Sequence, residues 1–169
     1  PTLKGDHPIL VIPFFYENNK MFAFQGMSFN SENPKYITII LNPEMDKIFG
    51  WNRIDKNKPL CAVEGPIDSL FLDNCIAVAG ADFNKLPLDY TIIFDNERRN
   101  KELLKQIDKT IDRGYKVVIW PDNVKEKDIN DMILSGKTKQ EIKSTIENNT
   151  YQGNMAKIRL TTWRKINVK

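Results

Sequence analysis

Three short apolar runs in this chain each lead into acidic residues. Leu60-Cys61-Ala62-Val63 runs directly into Glu64-Gly65-Pro66-Ile67-Asp68, and Thr91-Ile92-Ile93-Phe94 into Asp95-Asn96-Glu97. Lys116-Val117-Val118-Ile119-Trp120 precedes a looser acidic group, Asp128 to Asp131. Short apolar runs bounded by turn residues read as buried strands. Acids at the carboxyl ends of successive strands in an open α/β sheet converge on one crevice. Converging carboxylates repel each other unless a cation neutralises them. The pattern predicts a divalent-metal site and, with it, phosphoryl-transfer chemistry.

Each acid also has a plainer structural reading. Glu64 and Asp68, four apart, suit the start of a helix, where anions complement the dipole. Asp95 and Asp128 suit helix N-caps. Three such sets behind three strands in one short domain make coincidence the weaker account. Glu64 resists the plain reading most, because it abuts a strand and precedes Gly65-Pro66, a tight turn that aims its side chain at the sheet edge.

The 169 residues fit one domain, or one domain with a small appendage, and can bury a core without staples. A hydrophobic fraction of 41%, with three Trp and nine Phe, excludes a disordered chain. Cys61 and Cys75 sit in apolar surroundings and read as buried, reduced thiols; with a single His they exclude a structural zinc site. No apolar run approaches the roughly 20 residues that span a bilayer, so no membrane association is expected and the cytoplasm is the expected location. The opening Pro1-Thr2-Leu3-Lys4 has neither a signal-peptide pattern nor an initiator Met, as expected of a processed or excised piece. Net charge is only +3, but Lys157 to Lys169 holds five basic residues and no acidic one.

Residues 8–16 and 21–26 read as two strands joined by the turn Glu17-Asn18-Asn19-Lys20, with a third β-rich run over 36–41. This predicts a small antiparallel sheet within 1–58. Residues 59–149 alternate: strands at 60–63, 76–79, 91–94 and 115–120, and helices over 67–73, 98–113, 129–134 and from Thr138 onward. Leu103, Leu104, Ile107 and Ile111 carry helical spacing, and Gly114 supplies the stop. Such alternation predicts an α/β fold with a mostly parallel sheet flanked by helices. Residues 150–169 read as a basic tail, with a strand at 156–162.

Val63-Glu64-Gly65-Pro66-Ile67-Asp68-Ser69-Leu70 resembles the E-G-x-x-D-x-L motif of Toprim domains, found in DNA primases, topoisomerases, repair proteins and some nucleases. Ile92-Ile93-Phe94-Asp95-Asn96-Glu97 resembles their second motif, an apolar run ending in D-x-D, with Glu in the last position. Lys127-Asp128-Ile129-Asn130-Asp131 is similar to the K-D-x-N-[ED] element of phage primase-helicases. Ile12-Pro13-Phe14, Phe24-Gln25-Gly26 and Pro34-Lys35-Tyr36 resemble the subdomain that precedes Toprim in primases, although Met27 stands where that family has Arg. The resemblance spans residues 8–135 and points to a Toprim-type DNA primase of bacterial or phage kind, the composition favouring phage.

The resemblance implies RNA primer synthesis on single-stranded DNA from ribonucleoside triphosphates. It assigns Glu64, Asp95 and Glu97 as catalytic metal ligands, and Asp128 and Asp131 as acids for a further ion, with two or more Mg²⁺ or Mn²⁺ ions in all. Gly65, Asp68 and Asn130 would support them. Lys35, Arg98, Arg99 and Lys127 would meet nucleotide or template. In the tail, Lys157, Arg159, Trp163 and Arg164 would meet DNA or dock a further module. A replicative helicase, a separate zinc-binding template-recognition domain and, for a phage protein, the host cytoplasm complete the expectation. Two other readings use the same residues: a Toprim nuclease with water as nucleophile, and a non-catalytic nucleic-acid or helicase-binding module. No Walker loop or G-x-G-x-x-G is present, so no built-in ATPase is expected.

Overall fold

The computed structural model describes residues 8–29, 36–80 and 82–165. Strand β1 (Ile9–Phe15) pairs antiparallel with β2 (Met21–Ser28), and β2 with β3 (Tyr36–Ile40), giving the expected small sheet. Asn19 turns the first hairpin in the left-handed region at φ 62°, a conformation Asn tolerates better than most residues. Pro13 lies in β1, an outer strand, where its missing N–H costs little. Ile12, Phe14, Phe22 and Ala23 bury into a small core completed by Phe49 and Trp51 from the segment between the sheets and by Ile67 and Ala79 from the second unit. The Phe14 and Phe49 rings meet edge to face at 5.5 Å. This shared cluster fixes the small sheet on the larger one.

The second unit runs β4 (Leu60–Val63), α1 (Pro66–Ser69), β5 (Cys75–Ala77), β6 (Tyr90–Ile92), α2 (Lys101–Asp112), β7 (Lys116–Val118), α3 (Ile129–Leu134), α4 (Lys139–Asn148), β8 (Thr150–Tyr151) and α5 (Gly153–Trp163). Its sheet has the order β5-β4-β6-β7-β8, parallel throughout except for β8. The chain leaves β4 to form β5 on one side and then crosses to form β6 on the other. The carboxyl ends of β4 and β6 therefore flank the point where the strand order reverses, the usual ligand crevice of such sheets. On the far side of β5, Phe49 exchanges both backbone hydrogen bonds with Ala77 at 2.8 and 3.0 Å, and the Arg53 guanidinium donates to the Cys75 carbonyl.

Helix ends follow local chemistry. Asn100 caps α2 through its side chain, Asp128 caps α3, and Thr138 with Glu141 forms a capping box on α4. The expected strand at 156–162 is instead the middle of helix α5. Ala156, Leu160 and Trp163 recur at helical spacing and are buried, which outweighs the β-branched character of Ile158, Thr161 and Thr162. Residues 150–163 are thus part of the folded body rather than a free tail. Both cysteines are free thiols; Cys75 is buried, whereas Cys61 is only partly so, contrary to the expectation for both. Among the described residues, no helix is long and apolar enough to cross a membrane.

Candidate active site

Glu64 follows β4 without a gap. Its backbone is held by the neighbouring strand, Ala79 N–H donating to the Glu64 carbonyl at 3.0 Å. Gly65 then starts α1, with Pro66 at the first helical position, where a missing N–H costs nothing. Gly65 is needed for space: a Cβ there would stand 2.5 Å from Asp68 Oδ2. Asp68 Oδ1 accepts the backbone N–H of Asn130 at 2.8 Å, joining α1 to the first turn of α3. The Asp68 side chain and the Asn130 backbone thus fix how α1 and α3 meet beside Glu64.

Asp95 and Glu97 lie just beyond β6, with Asn96 between them bonded to the 124–127 loop. The Asn96 amide donates to the Val124 and Glu126 carbonyls at 3.1 and 3.0 Å, and its backbone N–H to the Lys127 carbonyl at 2.6 Å. These bonds fasten the 124–127 loop against the acids. They place the Lys127 ammonium 3.5 Å from Asp95 and 3.1 Å from Glu97. Asn100 donates to the other Glu97 oxygen at 2.6 Å. The longer side chain at position 97 is thus held from two sides.

Electrostatics separate the acids. Burial, reinforced by Asp95 and Glu97, pushes the Glu64 carboxyl up to about 7. Burial likewise pushes Asp68 up to about 6, against the lowering effect of the Asn130 N–H. Burial raises Asp95 as well, while Lys127 opposes the shift. Glu97 is held low by its hydrogen bonds from Asn100 and Lys127. Glu64 Oε1 is buried without a hydrogen-bond partner.

An open cleft of about 550 Å³ joins Glu64, Asp68 and Asp95, whereas Glu97 is not among the residues that line it. Glu64, Asp68, Asp95, Lys127 and Asp128 line one wall, and Ile12, Gln25, Tyr36 and Thr38 of the small sheet line the other. Among the described residues, no three acids stand at the spacing that grips an ion. The Lys127 ammonium supplies the compensating positive charge between Asp95 and Glu97. The donors nevertheless fit a hard divalent cation: all are carboxylate oxygens, and one is buried and unsatisfied. Asp131 does not line the cleft; it is exposed in the first turn of α3, with its backbone N–H on the Asp128 cap.

The basic candidates divide. Lys127 belongs to the cleft. The Arg98 guanidinium is engaged within the fold: it pairs with Asp122, donates to the Pro121 carbonyl at 2.8 Å and lies over the Trp163 ring. Trp163 is buried and cannot stack on a base. Arg159 lies over Tyr151, Lys157 pairs with Asp112, and Arg99 and Arg164 are exposed. Lys35 lies outside the described residues. Two residues escaped the sequence reading. Asn96, a spacer in the D-x-E motif, is the anchor of the Lys127 loop. Gln25, noted only as part of Phe24-Gln25-Gly26, lines the cleft and is buried.

No known protein-family profile matches the chain. It is 42% identical over 166 residues to the DNA primase of Enterobacteria phage T4. Over this span the chain is a homologue of that primase. The match covers 94% of this chain and 48% of the phage protein. The structure resembles the zinc-binding and RNA polymerase domains of Aquifex aeolicus primase, with a TM-score of 0.63 and 18% identity over 99% of this chain and 51% of that one. It resembles the Escherichia coli primase catalytic core with a TM-score of 0.63 and 15% identity, over 83% of this chain and 52% of that one. The fold is therefore that of a primase catalytic core, and the chain spans about half the length of the relatives it matches.

Proposed function

We propose that this chain is the polymerising core of a DNA primase, joining ribonucleotides into a short RNA primer on single-stranded DNA. The observation that carries the reading is that Glu64 and Asp95, just beyond the adjacent strands β4 and β6, line one cleft with the small sheet, with Glu64 Oε1 buried and unsatisfied. Mg²⁺ or Mn²⁺, two ions or more, would be held by Glu64, Asp95 and Glu97 with Asp128 on the flank. Bound there, the ions would stabilise negative charge on the phosphoryl oxygens and the pyrophosphate leaving group.

The chain's own groups prepare that chemistry. Asn96 sets the Lys127 loop, and Lys127 opposes the burial that raises Asp95 and, with Asn100, holds Glu97 low. Asp68 holds α3 so that Asp128 faces the cleft. Burial pushes the ion-free Glu64 carboxyl up to about 7, so a cation binding there would displace a proton near neutral pH. Lys35, Arg99 and Arg164 are the candidates for phosphate contact, by charge alone. A helicase and a separate zinc-binding template-recognition domain would supply start-site choice, in the cytoplasm of the host if the chain is phage-encoded.

The test is primer synthesis by residues 1–169 with Mn²⁺, single-stranded DNA and labelled ribonucleotides. Elongated labelled products that disappear in Asp95→Ala and Glu64→Ala are expected. Shortened DNA without labelled product would replace primer synthesis with nuclease action. Neither product, together with no Mn²⁺ site sensitive to Asp95→Asn, would leave a non-catalytic binding module.

A further inference from the structure

Gln25 stands in the middle of β2, opposite Ile12 on one side and Thr38 on the other. Its carboxamide is buried to 6% exposure. Its Nε2 donates to Thr38 Oγ1 at 3.1 Å, and its Oε1 has no partner. A buried polar atom left unpaired is costly and calls for a reason. Gln25 and Thr38 line the cleft on the wall opposite Glu64 and Asp95. A molecule bound in the cleft that Gln25 lines is a source for the missing partner.

We propose that Gln25, with Thr38, recognises the ribose of a nucleotide bound in this cleft and discriminates against 2′-deoxyribose. This rests on the reading of the acidic wall as the phosphate end of a nucleotide site. In any nucleotide the sugar directly follows the phosphates, so it meets the facing wall before the base does. Gln25 Oε1 is an acceptor. Thr38 Oγ1 accepts the amide N–H and keeps its own hydrogen to donate. Acceptor and donor side by side match the two adjacent hydroxyls of ribose. The 2′-hydroxyl donates to Gln25 Oε1, and the 3′-hydroxyl accepts from Thr38. A deoxyribonucleotide leaves Gln25 Oε1 buried and unpaired, and sites built to bond a hydroxyl reject the analogue lacking it. Gln25 is thus a specificity residue that touches the sugar and takes no part in bond making.

The experiment is equilibrium binding of ATP, 2′-deoxyATP, GTP and 2′-deoxyGTP, each with Mn²⁺, to residues 1–169 carrying wild-type sequence, Gln25→Met, Thr38→Val or Asp95→Ala. Gln25→Met keeps the shape and removes the amide, so the metal-free protein should melt at the same temperature or higher. The wild type should prefer each ribonucleotide by about tenfold, the worth of one hydrogen bond with the penalty for leaving its partner unpaired. Gln25→Met should abolish that preference by weakening the ribonucleotides alone, equally for adenine and guanine. Thr38→Val should weaken both sugars. An unchanged ribose preference in Gln25→Met overturns the assignment, as does a loss confined to one base, which would make Gln25 a base reader. Asp95→Ala tests the underlying site separately, by weakening ribo and deoxy forms equally. If Asp95→Ala binds normally while Gln25→Met loses the preference, the acidic wall has been misread and the sugar contact stands. No nucleotide binding by the wild type removes both.

Discussion

The backbone N–H of Asn130 donates to Asp68 Oδ1 at 2.8 Å, joining residues 62 positions apart. This bond locks the first turn of α3 to the turn that carries Glu64. Asp68→Ala should lower unfolding free energy by about 1–2 kcal/mol in urea titrations, because it leaves that N–H without its acceptor. Asp68→Asn keeps an acceptor oxygen and removes a charge that Asp95 and Asp128 repel. It should recover most of the loss, and equal destabilisation by Asn and Ala would refute this account of Asp68.

Lys127 makes the acids tolerable to one another in the absence of metal. Lys127→Met should destabilise the protein in EDTA by about 1 kcal/mol, a modest figure because the lysine side chain is half exposed. For a chain of this size that is about 2–4 °C in melting temperature. Saturating Mn²⁺ should restore more stability to the variant than to the wild type, since the ion then replaces the missing ammonium. Equal gains in both proteins would show that Lys127 and the ion do not share a site.

Glu126 offers a pH test outside the acidic wall. The Lys137 ammonium, with a hydrogen bond from the Ser135 hydroxyl, holds its carboxyl down at about 2. An unfolded glutamate titrates near 4.3. Because the folded value is the lower one, Glu126 stabilises the protein fully above about pH 4.3, and the effect is lost as pH falls through about 2. Glu126→Gln should therefore melt below the wild type at pH 7, with the gap closing between about pH 4 and pH 2. A gap that persists at pH 2 would assign the effect to packing instead.

Trp163 belongs to the core. Trp163→Ala should cost about 3 kcal/mol or more in urea unfolding, the usual penalty for removing a buried large aromatic side chain. Arg164→Ala, one residue on and exposed, should leave stability within about 0.5 kcal/mol of the wild type. Equal, small effects from both would place residues 150–165 outside the folded body.

The acidic wall was legible in the sequence for a definable reason. Glu64 and Asp95 follow apolar runs without a gap, so strand register alone carries them to the sheet edge. Helix α3 was read with its observed ends, Ile129 and Leu134, because Asp128 and Gly136 mark both stops chemically. Where the sequence misled, long-range packing decided. In α5 the local preferences of Ile158, Thr161 and Thr162 favour a strand, and only the burial of Ala156, Leu160 and Trp163 reveals the helix. Arg98 sits beside an acidic motif and invited a ligand role, yet its partners Asp122 and Trp163 come from distant segments. Lys127 was recognised as part of a motif, but its pairing with Asp95 and Glu97 depends on Asn96 reaching across to the 124–127 loop. No local pattern encodes that reach. Gln25 was hidden because strand alternation predicts burial of a position but not why a polar residue occupies it.

The outer side of β5 has a final consequence. Phe49 uses both backbone groups of Ala77, and Arg53 takes the carbonyl of Cys75. That rim of the parallel sheet is already spoken for, so another polypeptide cannot extend it by adding a strand there. Whatever assembles with this chain along β5 must recognise it through side chains, whose identity can be tuned one residue at a time without disturbing the sheet that positions Glu64.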